Sequence, residues 1–384
     1  MQLRTVRRPR HMSKVALPLG AVLLLAGCTI GSPFLNPTAR MNDDMAAVVL
    51  TYQKLGARPV HELTVQQART QPTMDDAMRA VVQAQTGRPY METSFTRTTD
   101  LQVAGAAGPL PARLYDAMPG HRGEPIILYF HGGGWVTGSA STNDSSERAL
   151  ATQAHAMVLS VAYRLAPENK FPASHDDAFA AYRWLLQNAT RLGADPRRIA
   201  VAGEAAGGNL AINVSISARD AHLPMPVHQL LIYPFSGTDT HAPSYIANKY
   251  AVPLSSEDVR WYENNLIRSR ADLSDPRLDL VNAADLHNLP PTCVISAEMD
   301  PLESDGDFLT QKLLSEGVDV KRTLYGGTSN GFFGLGAVVG RAKEAEALAA
   351  DQLDATFNKI GPPPAPRRVY TRRPVHRPVR RTHN

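Results

Sequence analysis

Six short apolar runs alternate with helical stretches from about residue 95 onward, and that alternation restricts the chain to few architectures. The runs are "PIILYF", "AMVLSVAY", "RIAVAG", "QLLIYPF", "PTCVISA" and "VKRTLYG". Between them lie segments of helical period such as "DDAFAAYRWLLQNATRLG" (176–193) and "ESDGDFLTQKLLSEG" (303–317). Strands alternating with helices build a mostly parallel sheet covered on both faces. Runs with almost no polar residue suit strands buried on both sides. The expected class is therefore α/β, with helices on both faces of a central sheet.

The rest of the chain divides around this region. Residues 29–95 read as a spacer followed by amphipathic helices, "DDMAAVVLTYQKLG", "TVQQART" and "MDDAMRAVVQAQTG", with apolar positions recurring at three and four. Residues 96–360 form the sheet-bearing domain, interrupted near 238–285 by a polar, partly helical insertion containing "SSEDVRWYENNLIRSR". Residues 361–384 are rich in Pro and Arg and read as extended chain without a core.

Charge is segregated. Residues 1–28 carry five Lys/Arg and no acid, and residues 361–384 carry seven Arg and no acid. The body between them holds 28 basic against 36 acidic groups. The N-terminal segment has a basic start and a short apolar stretch, "VALPLGAVLLLAG", broken by Pro and Gly and too short for a good membrane span. It ends in "LLAGC", which resembles a bacterial lipobox. That resemblance implies a lipoprotein signal peptide over residues 1–28 that is cleaved just before Cys28, lipidation of Cys28 as the new N-terminus, and anchoring in the cell envelope. Thr29 after the cysteine favours the outer membrane, facing the periplasm. Cys293, the second of two cysteines, sits in an apolar run and reads as core, so no disulfide is expected. The basic tail offers a strip for an anionic envelope polymer or lipid; export argues against nucleic acid as its partner.

Four stretches carry the chemistry. "YFHGGGW" (129–135) follows a strand, and consecutive glycines let backbone N–H groups approach a ligand oxygen. "GEAAGG" (203–208) is a Gly-x-Ala-x-Gly turn between a strand and a helix, the place where a serine hydrolase holds its nucleophile. There the N–H of Ala206 would join those of Gly132 and Gly133 in an oxyanion hole. "SAEMDPL" places Asp300 just past a strand, and "YGGTSNGFFG" places Asn330 in the loop after the last strand. Nucleophile, acid and base positions follow the order of α/β-hydrolases.

With these motifs the chain resembles the hormone-sensitive-lipase-like branch of the α/β-hydrolases over roughly residues 45–355. The resemblance adds the "YRLAPE" box (163–168) and implies an α/β-hydrolase fold whose N-terminal helices and polar insertion form a helical cap over an acyl pocket. It also implies a Ser–Asp–His triad without a cofactor or metal. Two of those positions depart: Ala205 stands where the serine is expected and Asn330 where the histidine is expected, leaving Asp300 as the acid. An alanine has no attacking oxygen, and an amide is not a useful base near neutral pH. Ser329, His131 and His175 do not suit a substitute role: Ser329 shares the base loop, His131 belongs to the glycine turn, and His175 heads a helix far along the chain. The expectation from sequence is a catalytically inactive pseudoenzyme that binds a small ester or carboxylate, or acts as a scaffold. An ester hydrolase with a residual or rearranged mechanism is the first competing reading, and a membrane-to-wall tether working through the basic tail the second.

Overall fold

The computed structural model describes residues 38–91 and 95–361. Residues 1–37, with Cys28, and residues 362–384 lie outside the described residues, as do the lipidation and tail-binding expectations made on them. Among the described residues no helix is long and apolar enough to cross a membrane.

Among the described residues eight strands form one sheet: β1 (Arg97–Gly105), β2 (Gly108–Asp116), β3 (Glu124–Phe130), β4 (Met157–Val161), β5 (Ala194–Glu204), β6 (Gln229–Ile232), β7 (Thr292–Met299) and β8 (Val320–Ser329). Their order is β1-β2-β4-β3-β5-β6-β7-β8. The β1–β2 hairpin and the β2–β4 pair are antiparallel, and every later pairing is parallel. The helices are α1 (Asp43–Lys54), α2 (Val65–Thr70), α3 (Met74–Thr86), α4 (Asp144–Gln153), α5 (Ala173–Leu192), α6 (Ala206–Asp220), α7 (Pro243–Ala247), α8 (Ser256–Leu266), α9 (Leu280–Ala283), α10 (Glu303–Ser315) and α11 (Gly340–Ile360).

Alternation along β3 shows how the core divides. Ile126, Leu128 and Phe130 face one layer, packed with Leu185 of α5, Leu210 of α6 and Leu309 of α10. Ile127 and Tyr129 face the other, packed with Met45 of α1, Met78 of α3, Leu150 of α4 and Leu353 of α11. Both faces are covered, which is why the central strands carry so few polar residues. Cys293 is fully buried in the second layer.

The chain crosses from β3 to β4 on one side and from β5 to β6 on the other. The sheet order therefore reverses between β3 and β5, and a crevice opens beyond their carboxyl ends, where open α/β sheets bind ligands. The glycine turn after β3 and the elbow after β5 both end there. Two other segments close over the crevice. Thr64, Thr73 and Ser255 start α2, α3 and α8 with reciprocal capping boxes, fixing where each helix begins. His61 donates its backbone N–H to Asp258 Oδ1 at 3.1 Å and brings Nδ1 to 2.7 Å of the same oxygen, joining the N-terminal segment to α8.

Candidate active site

A single residue separates β5 from α6. Ala205 takes φ 48° and ψ −111°, a conformation that L-residues rarely adopt. It is pinned on both sides: its N–H donates to Ile232 O at 2.9 Å, and its carbonyl accepts from Phe235 N at 3.1 Å. Gly207 is required by close approach, because a Cβ there would fall 1.9 Å from the carbonyl oxygen of Phe130. The first turn of α6 is thereby pressed against the end of β3. Beneath the elbow, Glu204 is buried and accepts hydrogen bonds from the hydroxyls of Tyr129 and Tyr233. Burial raises its carboxyl pKa, and the two phenols pull it back.

The glycine turn lies opposite. Among the described residues no acceptor engages the backbone N–H of Gly133 or of Ala206, the first residue of α6, whose N–H has no intrahelical partner. The N–H of Gly132 is loosely held, donating to Asn143 Oδ1 at 3.3 Å. Gly134 sits at φ 57°, and a Cβ there would strike the ring of Tyr262 at 2.2 Å. The third glycine thus lets α8 rest on the glycine turn.

Asp300, following β7, is completely buried. Its Oδ2 accepts from Asn330 Nδ2 at 2.8 Å and its Oδ1 from Leu302 N at 2.9 Å. Burial pushes its pKa up to about 7, against those two hydrogen bonds. Ala205, Ala206, Gly132, Gly133 and Asn330 all line one chamber of about 410 Å³, while Asp300 stands behind Asn330. Ser329 is buried at the end of β8, and Ser329 Oγ lies 3.4 Å from Asn330 O. His131 is sealed under the glycine turn, with Nδ1 2.7 Å from Gly132 O and its ring stacked on Tyr163. Separation along the chain misleads for His175, whose Nε2 lies 2.9 Å from Asn209 Oδ1 on the elbow helix. Burial lowers both imidazoles to about 4, so neither is charged at neutral pH, and neither lines the chamber.

One acidic residue escaped the sequence reading. Glu263 of α8 lines the chamber at 7% exposure, and its Oε1 has no hydrogen-bond partner among the described residues. Burial raises its pKa to about 7, opposed by Arg260 and Arg270. The insertion "SSEDVRWYENNLIRSR" holds three acids, Glu257, Asp258 and Glu263, and nothing in the sequence singles out which of them turns inward.

A family model described as alpha/beta hydrolase fold matches residues 127–334. The chain is 40% identical over 245 residues to carboxylesterase NlhH of Mycobacterium tuberculosis, covering 62% of this chain and 75% of that relative. It is 38% identical over 282 residues to esterase LipI of the same organism, covering 71% and 87%. Ethyl acetate hydrolase of Pseudomonas putida is 31% identical over 302 residues, covering 77% and 91%. Among solved structures, the hyperthermophilic esterase from Pyrobaculum calidifontis superposes with a TM-score of 0.70 at 33% identity, covering 80% of this chain and 97% of the other. These relatives overturn the expectation of a catalytically inactive binding or scaffolding protein, because chains this similar are named as ester hydrolases. Judging activity from two side chains leaves out the chamber and the unengaged N–H groups of Gly133 and Ala206, and those remain.

Proposed function

We propose that this chain, which belongs to the hormone-sensitive-lipase-like branch of the α/β-hydrolases, is a carboxylic-ester hydrolase with a rearranged mechanism. The observation that carries the reading is its 38–40% identity to named esterases together with an ester-sized chamber fronted by free backbone donors.

Ala205 offers no oxygen, so no acyl-enzyme forms, and water attacks the ester carbonyl directly. The N–H groups of Gly133 and Ala206, joined by Gly132 once Asn143 yields, stabilise the developing oxyanion. Asn330 has committed Nδ2 to Asp300, which leaves Oδ1 as the acceptor that orients the attacking water. The carbonyl–alkoxy bond then breaks, the water's proton goes to the departing alkoxide, and acid and alcohol leave. Hole and binding without a full triad supply about 10³–10⁴ over the uncatalysed reaction, so turnover is slow. Short-chain esters are the class to try, on the example of the ethyl acetate hydrolase relative.

The test is hydrolysis of p-nitrophenyl acetate and butyrate by purified chain after exhaustive treatment with a fluorophosphonate and its removal. That reagent silences contaminating serine esterases and has no target at Ala205. Expected are turnover proportional to chain concentration, no pre-steady-state burst, and at least a tenfold loss in Asn330→Leu. Turnover indistinguishable from buffer, or abolished by the fluorophosphonate, would overturn the reading.

A further inference from the structure

We propose that the chamber selects ligands carrying a cationic group, an ammonium or quaternary ammonium, which Glu263 holds against the aromatic wall. The inference deepens the hydrolase reading by naming its substrate class, and the binding it predicts requires no turnover.

Most charged side chains on the chamber wall are already engaged. Arg69 spends its guanidinium on Glu168 and on the carbonyls of Ala166 and Val136. Asp75 is paired with Arg79 Nε at 2.8 Å and accepts from the Ser145 hydroxyl. Glu204 is held by the two tyrosine hydroxyls. Glu263 alone among these keeps a buried oxygen without a donor. Such an oxygen is costly unless something supplies the missing contact. The nearby cations favour its ionised form through their charge but give that oxygen no hydrogen bond: Arg260, on the same helix, is paired with Glu257 at 2.5 Å, and Arg270 makes no ion pair with Glu263 among the described residues. From the other elements packed around it come Asp305 of α10 and Tyr245 of α7, which add negative or neutral character.

The neighbouring surface suits a cation. Trp135, Tyr262 and Phe235 line the same chamber, and aromatic faces attract ammonium groups in desolvated sites. Burial lifts the empty Glu263 to about 7, so the carboxyl is largely protonated in mildly acidic solution. A bound cation favours the ionised form, and the preference for a cation must therefore grow as pH rises.

The experiment uses two amides that no hydrolase of this kind consumes readily. One is the butyramide of an aminoethyl-trimethylammonium cation; the other is its neutral isostere, with carbon in place of the quaternary nitrogen. Dissociation constants are measured by calorimetry on the unmodified chain and on Glu263→Gln. At about pH 8.5 the cationic amide is expected to bind the unmodified chain about tenfold more tightly than its isostere. That ratio should fall to about one at about pH 5.5, and to about one at both pH values in Glu263→Gln. Equal affinities at the higher pH, a preference that survives in Glu263→Gln, or binding of neither probe at millimolar concentration would overturn the proposal. If Glu263→Gln does not fold, the pH series on the unmodified chain decides alone. A cation preference without ester turnover would keep this site and sink the hydrolase reading; turnover without the preference would do the reverse.

Discussion

Ala205 holds φ 48° and ψ −111° with no hydroxyl to present. Such a backbone costs about 1–3 kcal/mol in a residue bearing a Cβ, and glycine would relieve it at an entropic cost of about 0.5–1 kcal/mol. Ala205→Gly should therefore raise stability by about 1 kcal/mol, read as an increase in the urea midpoint; a lower midpoint would show an unstrained elbow. The same strain predicts a stronger outcome for Ala205→Ser combined with Asn330→His. The serine would inherit a turn already shaped for a nucleophile, and the histidine would take over the hydrogen bond to Asp300 now made by Asn330 Nδ2. Members of a triad act as a unit, so the double variant should gain fluorophosphonate labelling and at least about a hundredfold in ester turnover. Either single change should gain far less. A double variant that folds but neither labels nor speeds up would mean that the chamber does not present an ester to the elbow.

At the scale of elements, the cover over the crevice depends on α2. Arg69 donates Nε to Val136 O and Nη2 to Ala166 O, each at 2.8 Å, while both terminal nitrogens engage Glu168. The residues carrying the two carbonyls are buried. Arg69→Ala would leave both oxygens without their charged donor, and the expected loss is about 2–3 kcal/mol, with faster proteolytic cleavage between residues 56 and 73. Arg69→Lys should recover only part of this, since a point charge cannot serve two carbonyls and a carboxylate together. A loss below about 0.5 kcal/mol would show that α2 is held by other contacts. These attachments were not legible in the sequence, where Arg69 is one basic residue on a polar helix. The strands β3 to β7 were legible because burial on both faces leaves an apolar signature, and β8, a half-exposed edge strand, by its place in the strand–helix alternation. The β1–β2 hairpin was not: it is half exposed and carries cross-strand pairs such as Arg113 with Asp100 and Arg97 with Asp116. In the site, the glycine turns announced themselves because backbone geometry dictates those residues. The roles of Glu263 and Asn209 depend on which face of a helix packs inward, and tertiary contacts alone decide that.

Across the whole molecule, buried carboxyls dominate the response to pH. Burial raises Glu147 to about 8 and Glu263, Asp300 and Glu346 to about 7, all from ordinary values near 4. A carboxyl whose folded pKa is raised binds its proton more tightly in the native chain than in the unfolded one. Its contribution is fully present below the unfolded value and is lost as pH rises through the folded value. For these four groups the window runs from about pH 4 to about pH 8. Opposite behaviour comes from the buried His131, His175 and His228, lowered to about 4, whose contribution is lost as pH falls from about 6.5 to about 4. It comes also from Glu168 and Asp272, which hydrogen-bonded ion pairs with Arg69 and Arg268 lower to about 2 and whose contribution fades only below about pH 4. Maximum stability is therefore expected in mildly acidic solution, with a loss of at least about 2 kcal/mol between pH 5.5 and pH 8.5 in urea titrations. Glu147 is the group to remove as a check, being fully buried, with burial outweighing the opposing Ser160 and Tyr115 hydroxyls. Glu147→Gln retains the shape and cannot ionise, so its stability should decline less steeply over the same interval, by up to about 1.4 kcal/mol per pH unit. A chain whose stability is flat or rises toward pH 8.5, or a Glu147→Gln variant with the parental slope, would show that these carboxyls are ionised and solvated in the native state.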